Sequence, residues 1–106
     1  MYYPKIKDAS LERVIESLCY DYRRRKTAID DELLPKRVLT EYKFLNSKIL
    51  EGVIEIIGPA DSEVLIDDIG MRRGYANSPV NRFSEVKYKQ LKADIKLNIA
   101  KKLYLI

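Results

Sequence analysis

Along much of this chain apolar residues recur at three- and four-residue steps, and glycine, proline and short polar side chains interrupt the rhythm. Leu11, Val14, Ile15, Leu18, Cys19 and Tyr22 fall on one face of a first helix, which Asp8 or Ser10 can open by accepting a free first-turn amide. Arg23-Arg24-Arg25-Lys26 follows, a run that could contact phosphate but reads first as the end of that helix, where cations favour the negative pole of the dipole and Asp30-Asp31-Glu32 balance them.

Pro35 lacks an amide donor and biases Leu34 away from helical angles, so it fits the first turn of a second helix running from about Lys36 to Ile57. Val38, Tyr42, Leu45, Ile49, Gly52 and Ile56 alternate steps of four and three, a short coiled-coil-like seam that Leu39, Leu50, Val53, Ile54 and Ile57 widen. Gly58-Pro59 stops it, the glycine taking the cap and the proline blocking continuation. Asp61 then caps a short third helix from Ser62 to about Gly70, with Val64, Leu65, Ile66 and Ile69 apolar.

From Gly70 to Phe83 two glycines, a proline and two asparagines predict a loop with at most one turn of helix. Ser84 caps the last helix. Leu91, Ile95, Ile99 and Leu103 form its buried stripe, helped by Val86, Tyr88 and Ala100. That leaves Glu85, Lys89, Lys92 and Lys96 outward or on the flank, with Lys87 and Tyr88 along the edge. The expectation is one all-α domain over residues 1–106 with four helices: an antiparallel pair over 8–58 and a helix-turn-helix-like half over 59–106.

Composition narrows the chemistry. With 106 residues, 46% apolar and 34% charged, the chain suits one domain of amphipathic helices rather than disorder. Histidine is absent and Cys19 is the only cysteine, which excludes an internal disulfide, a His/Cys zinc set and a Ser-His or Cys-His nucleophile. Cys19 lies in the apolar stripe and reads as a buried structural thiol. Asp61, Glu63, Asp67 and Asp68 lack the spacing of a calcium loop, and the glycines at 70 and 74 lack the lysine and strand of a phosphate loop. No catalysis, metal or cofactor is expected. No apolar run approaches the roughly 18 residues of a membrane span, and the first residues lack a signal peptide's apolar core, so a cytoplasmic location without membrane contact is expected.

Charge changes the picture most. Residues 1–58 carry eleven bases and ten acids, residues 59–70 four acids and no base, and residues 71–106 nine bases and two acids. That polarity predicts an anionic partner for the C-terminal part. A recognition helix needs an apolar back and polar or basic side chains near its N-terminal end, and the last helix offers both. Double-stranded DNA is the expected partner, with Arg72, Arg73, Arg82, Lys87 and Ser84 at phosphates and Lys89, Lys92 and Tyr88 near base edges.

Phe83-Ser84-Glu85-Val86-Lys87-Tyr88-Lys89-Gln90-Leu91-Lys92, together with the ending Asn98-Ile99-Ala100-Lys101-Lys102-Leu103-Tyr104-Leu105-Ile106, resembles the C-terminus of ArpU/RinA-type phage transcriptional regulators. Glu41-Tyr42-Lys43-Phe44-Leu45-Asn46 with Ile49 is similar to the long helix preceding their motif. The resemblance implies a helix-turn-helix like that of sigma-factor region 4, with the last helix in the major groove. Either residues 61–70 are the positioning helix with an enlarged connection, or Tyr75–Val80 form an abbreviated one. The resemblance thus implies a sequence-specific phage or prophage transcriptional regulator. A homodimer through the 38–56 seam suits palindromic sites, and RNA polymerase is a further partner to consider. The rival readings are a phage protein-interaction module using the second helix, and a small DNA-packaging (terminase-like) subunit that binds DNA as a ring.

Overall fold

The computed structural model describes residues 8–31, 33–80 and 82–106. Among them are five α-helices, α1 (Ala9–Tyr20), α2 (Tyr22–Asp31), α3 (Lys36–Ile57), α4 (Ser62–Gly70) and α5 (Glu85–Lys102), with a 3-10 turn at Tyr75–Asn77. The all-α class is as expected; the helix count is one higher. Asp8 opens α1, its carboxylate accepting from the amides of Ser10 at 2.9 Å and Leu11 at 3.3 Å.

The extra helix comes from the basic run. At Asp21 the backbone bends out of helical geometry (ψ 1°), yet its amide still reaches Ser17 O at 3.2 Å, and its carbonyl receives the Arg25 amide at 3.0 Å. Helix therefore resumes at once, and Arg23 to Lys26 begin α2 rather than ending α1. Their partners are also not the expected acids. Arg23 forks onto Asp67, with its terminal nitrogen at 2.7 Å, and Lys26 meets Glu63 at 2.7 Å. Both acids belong to α4, brought close by folding rather than by sequence. Arg24 pairs with Asp21 at 3.4 Å, while Asp30 and Asp31 have no ion-pair partner among the described residues. Glu32 lies outside them.

Arg25 is 3% exposed, donating to Asn46 Oδ1 at 2.7 Å and to the Leu18 carbonyl, and burial lowers its pKa. Asn46 in turn donates to the Tyr22 carbonyl at 3.1 Å. A buried guanidinium is tolerable only when so satisfied, because stranding it costs several kcal/mol. The antiparallel N-terminal pair is accordingly α2 with α3. α1 swings away to pack on α4 and α5.

α3 has its expected bounds, although Pro35 sits at the cap position rather than in the first turn, and Gly58 closes the helix at φ 84°, its amide bonded to Ile54 O at 2.8 Å. Asp61 occupies the cap position of α4 without capping it. Its carboxylate is held instead by Arg82 at 2.7 Å, a charge-assisted bond stronger than one to a neutral amide.

Two glycines set the helix spacing. A Cβ on Gly70 would lie 2.5 Å from the Tyr20 amide nitrogen, so α1 and α4 touch backbone to backbone there. One on Gly52 would lie 3.2 Å from the Ile99 Cα, where α3 meets α5. Ile15, Cys19, Ile49, Val53, Leu65, Ile66, Ile69, Ile95 and Ile99 fill the core between α1, α3, α4 and α5. Burial pushes the Cys19 thiol up to about 12, which keeps it a packing group. Val14 and Val86, expected on buried stripes, are 46% and 51% exposed.

Candidate nucleic-acid interface

Ser84 starts α5 as the sequence implies: its backbone is extended and its Oγ accepts from the Lys87 amide at 3.2 Å. Beyond that cap the helix does not behave as a two-sided recognition helix. Glu85, Val86, Lys87 and Lys89 are exposed, but from Gln90 to Ala100 every residue is buried or half-buried, because α1 flanks the helix on one side and α3 on the other. Exposed residues lie at its two ends, Glu85 to Lys87 and Lys89 at the N-terminal tip and Lys101 at the other.

The expected base-edge residues divide accordingly. Tyr88 is 1% exposed, so it cannot reach a base edge. Its hydroxyl donates to Asp68 Oδ2 at 2.8 Å and its ring meets Tyr75 edge-on, centroids 5.6 Å apart. Burial and then the Asp68 partnership push its pKa up to about 12. Lys92 is turned inward too, its ammonium donating to the Arg73 carbonyl at 2.6 Å and lying 5.1 Å from the Tyr88 ring centroid. Burial, reinforced by nearby Lys96, lowers its pKa. Lys96, expected on the outward side, is pinned to α1 by Glu16 at 3.2 Å and Glu12 at 3.5 Å. Lys89 does face solvent, in an i,i+4 pair with Glu85 at 3.3 Å.

The expected phosphate contacts fare better. Lys87 is exposed with no ion-pair partner among the described residues. Arg82 stacks 4.4 Å over the Phe83 ring while paired with Asp61, and stays 55% exposed. Arg72 is 72% exposed, 3.7 Å from Glu16. Arg73 is more enclosed, with its guanidinium 3.1 Å from Asp68. Arg82, Ser84, Lys87 and Lys89 therefore gather at the α5 tip, Arg73 lies deeper beside Asp68 and Lys92, Arg72 lies against Glu16 of α1, and Tyr88 and Lys92 are removed from the set.

Asp68, read from the sequence only as one of four acids without calcium-loop spacing, is the centre of a hydrogen-bond network. It is 0% exposed and accepts from Arg73, Ser78 and Tyr88, joining α4, the following loop and α5. Ser78 Oγ also receives the Val80 amide at 3.1 Å, and Tyr75 donates to the Phe83 carbonyl at 2.8 Å. The connection expected to be irregular is thus braced at both ends. One signal existed: Asp68 lies three residues after Leu65 and so shares the buried face of α4.

All four acids of the 59–70 segment are consumed in this way, Asp61 and Asp68 by Arg82 and Arg73, Glu63 and Asp67 by Lys26 and Arg23. Lys26 holds the Glu63 carboxyl below its ordinary range. Much of the C-terminal positive charge is likewise internally matched, Lys102 with Glu51 and Glu55 of α3 among it. No group of three or more metal-ligating side chains occurs among the described residues, and no helix there is long and apolar enough to cross a membrane. Neither a family model, nor a curated protein, nor a solved structure matches this chain.

Proposed function

We propose that the protein is a sequence-specific DNA-binding transcriptional regulator of phage or prophage type, without catalysis, that meets the duplex with the N-terminal tip of α5. The observation carrying this reading is the tip itself. Ser84, Lys87 and Lys89 stand exposed in the first turns of α5, with Arg82 immediately before them, whereas from Gln90 to Ala100 the helix is buried or half-buried. Helix-turn-helix proteins make their base contacts with the N-terminal residues of the recognition helix, so an enclosed body is compatible with end-on insertion.

The ion pairs at this surface do not oppose binding. Exposed pairs such as Lys89 with Glu85 contribute about 0–1 kcal/mol, so a phosphate can replace the carboxylate with little loss. In this reading Arg82, Lys87 and the Ser84 end hold phosphates, Lys89 lies nearest the base edges, and Arg72 and Arg73 meet the neighbouring backbone. α4 serves as the positioning helix. Two copies on a palindromic site would complete the regulator, with RNA polymerase as a further partner.

The test is duplex binding as a function of salt. Each phosphate contact adds about 0.9 to the slope of log K against log salt, so Arg82→Ala with Lys87→Ala should flatten it by about two. Lys92→Met, on an inward side chain, should leave the slope unchanged. Absence of duplex retention at low salt would overturn the reading.

A further inference from the structure

Arg82 is the most firmly held cation of the α5 tip. Its Nε donates to Asp61 Oδ2 at 2.9 Å and its Nη2 lies 2.7 Å from the same oxygen, while the Phe83 ring covers one face of the guanidinium at 4.4 Å. Both supports are themselves fixed. Asp61 stands directly before α4 with its side chain 26% exposed. Phe83 is half-buried against the core, and its carbonyl accepts the Tyr75 hydroxyl at 2.8 Å. Of the described arginines, Arg82 alone combines a carboxylate and a ring so close. Arg24 has them at 3.4 and 5.9 Å, and Arg72 and Arg37 lie 3.7 and 3.8 Å from their acids with no ring contact.

The same contact leaves one edge of the guanidinium open. Arginine carries five N–H donors in a flat fork. Asp61 takes the side edge, formed by Nε and Nη2, and Nη1 makes no hydrogen bond to any described residue. The end edge, Nη1 with the outer hydrogen of Nη2, is therefore unpaired on a side chain that is 55% exposed. Its geometry matches two oxygens of a phosphate, as in bidentate arginine–phosphate pairs. Asp61 is not spent on α4 instead, since its side chain makes no capping bond.

We propose that Asp61 is a positioning residue for phosphate recognition, holding Arg82 so that its free edge receives a phosphate group while the Asp61 pair stays intact. The DNA-binding reading supplies the source of that phosphate, the duplex backbone; free phosphate would meet the same edge. Two magnitudes set the sign of the Asp61 effect. As an acid beside a polyanion it repels, but from the far side of the guanidinium, at about 7 Å and physiological salt, this weakens binding by less than about twofold. Immobilising a rotamer-rich side chain during binding weakens it by about two- to tenfold, a loss that a side chain fixed beforehand avoids. Positioning outweighs repulsion, and Asp61 strengthens binding despite its charge.

Two measurements on the full chain test this. Nitrogen-15 relaxation of the arginine Nε–H groups should give Arg82 an order parameter near the rigid-backbone value of about 0.85, and Arg37, 91% exposed, one below about 0.6. Asp61→Asn, similar in shape but neutral, should bring Arg82 down towards Arg37. Inorganic phosphate should shift the Arg82 signal, and Asp61→Asn should raise the concentration required by about two- to fivefold. Duplex affinity should fall by a similar factor although the net charge rises by one, whereas Glu85→Gln, in an exposed pair with no ring contact, should raise it. In the Arg82→Ala background Asp61→Asn should no longer weaken duplex binding, because its effect passes through the guanidinium. A wild-type Arg82 as mobile as Arg37, an Arg82 signal indifferent to phosphate, or tighter duplex binding on Asp61→Asn would each overturn the proposal. So would a loss that persisted in the Arg82→Ala background. An Arg82 that responds to phosphate in a protein retaining no duplex would overturn the DNA-binding reading alone and leave free phosphate as the ligand of this edge.

Discussion

Tyr88 donates its hydroxyl to Asp68 at 2.8 Å, with both side chains sealed from solvent, and this single bond ties the first turn of α5 to the last turns of α4. Around it Arg73 and Ser78 complete the shell of the carboxylate, and no buried side-chain nitrogen or oxygen is left without a partner among the described residues. The tip of α5 is aimed by this network. In a low-dielectric interior each of these bonds is stronger than at the surface, and each is correspondingly costly to strand.

Tyr88→Phe keeps the ring and its packing on Tyr75 but removes one donor from Asp68. Stability should fall by about 1–3 kcal/mol, the range for a buried acceptor losing a partner. Urea denaturation measures it. In the DNA-binding reading affinity should also drop although net charge is unchanged, because the tip loses its brace. A loss under about 0.5 kcal/mol would mean that Asp68 is satisfied without Tyr88.

Arg72 stands at φ 56°, the left-handed position of a Schellman ending in which the Arg73 amide reaches Asp68 O at 2.8 Å and the Arg72 amide reaches Ile69 O at 3.1 Å. Glycine is the usual residue there, and an L side chain costs about 1–2 kcal/mol. Arg72→Gly should therefore raise the thermal midpoint or leave it unchanged, since its ion pair with Glu16 is long and exposed. In the same variant duplex affinity should fall. Reduced stability would show that the arginine is held for structural reasons alone.

Glu63 gives the fold a defined acid sensitivity. Its hydrogen bond to Lys26 depresses the folded pKa, so the stability it contributes is complete above the unfolded value of about 4.3 and is lost as pH falls through the folded one. The pair is partly exposed, which limits the effect to about 1 kcal/mol or less. Glu63→Gln should thus be slightly less stable than wild type at neutral pH, with the gap closing in acid. Urea midpoints for both proteins at each pH read this directly, and a gap that persisted undiminished below pH ~3 would contradict it.

Local rules on the page of residues fixed a good deal. Asp8 and Ser84 cap helices because each stands just before an apolar-periodic run, α3 has its bounds because proline and glycine bracket an unbroken seam, and Ile95 and Ile99 are buried because helical spacing puts them on one face. What the sequence could not decide is which charges meet. Arg23 and Lys26 lie next to acids in the chain, yet pair with Asp67 and Glu63 of α4, since Coulomb attraction acts on distance in space and only packing sets that distance. The same holds for α5: its lysines follow a solvent-facing pattern, but two neighbouring helices enclose it, and Tyr88 and Lys92 are drawn inward to Asp68 and the Arg73 carbonyl. Periodicity along one helix records which side is apolar. How many sides are covered depends on how many neighbours the tertiary fold brings against it.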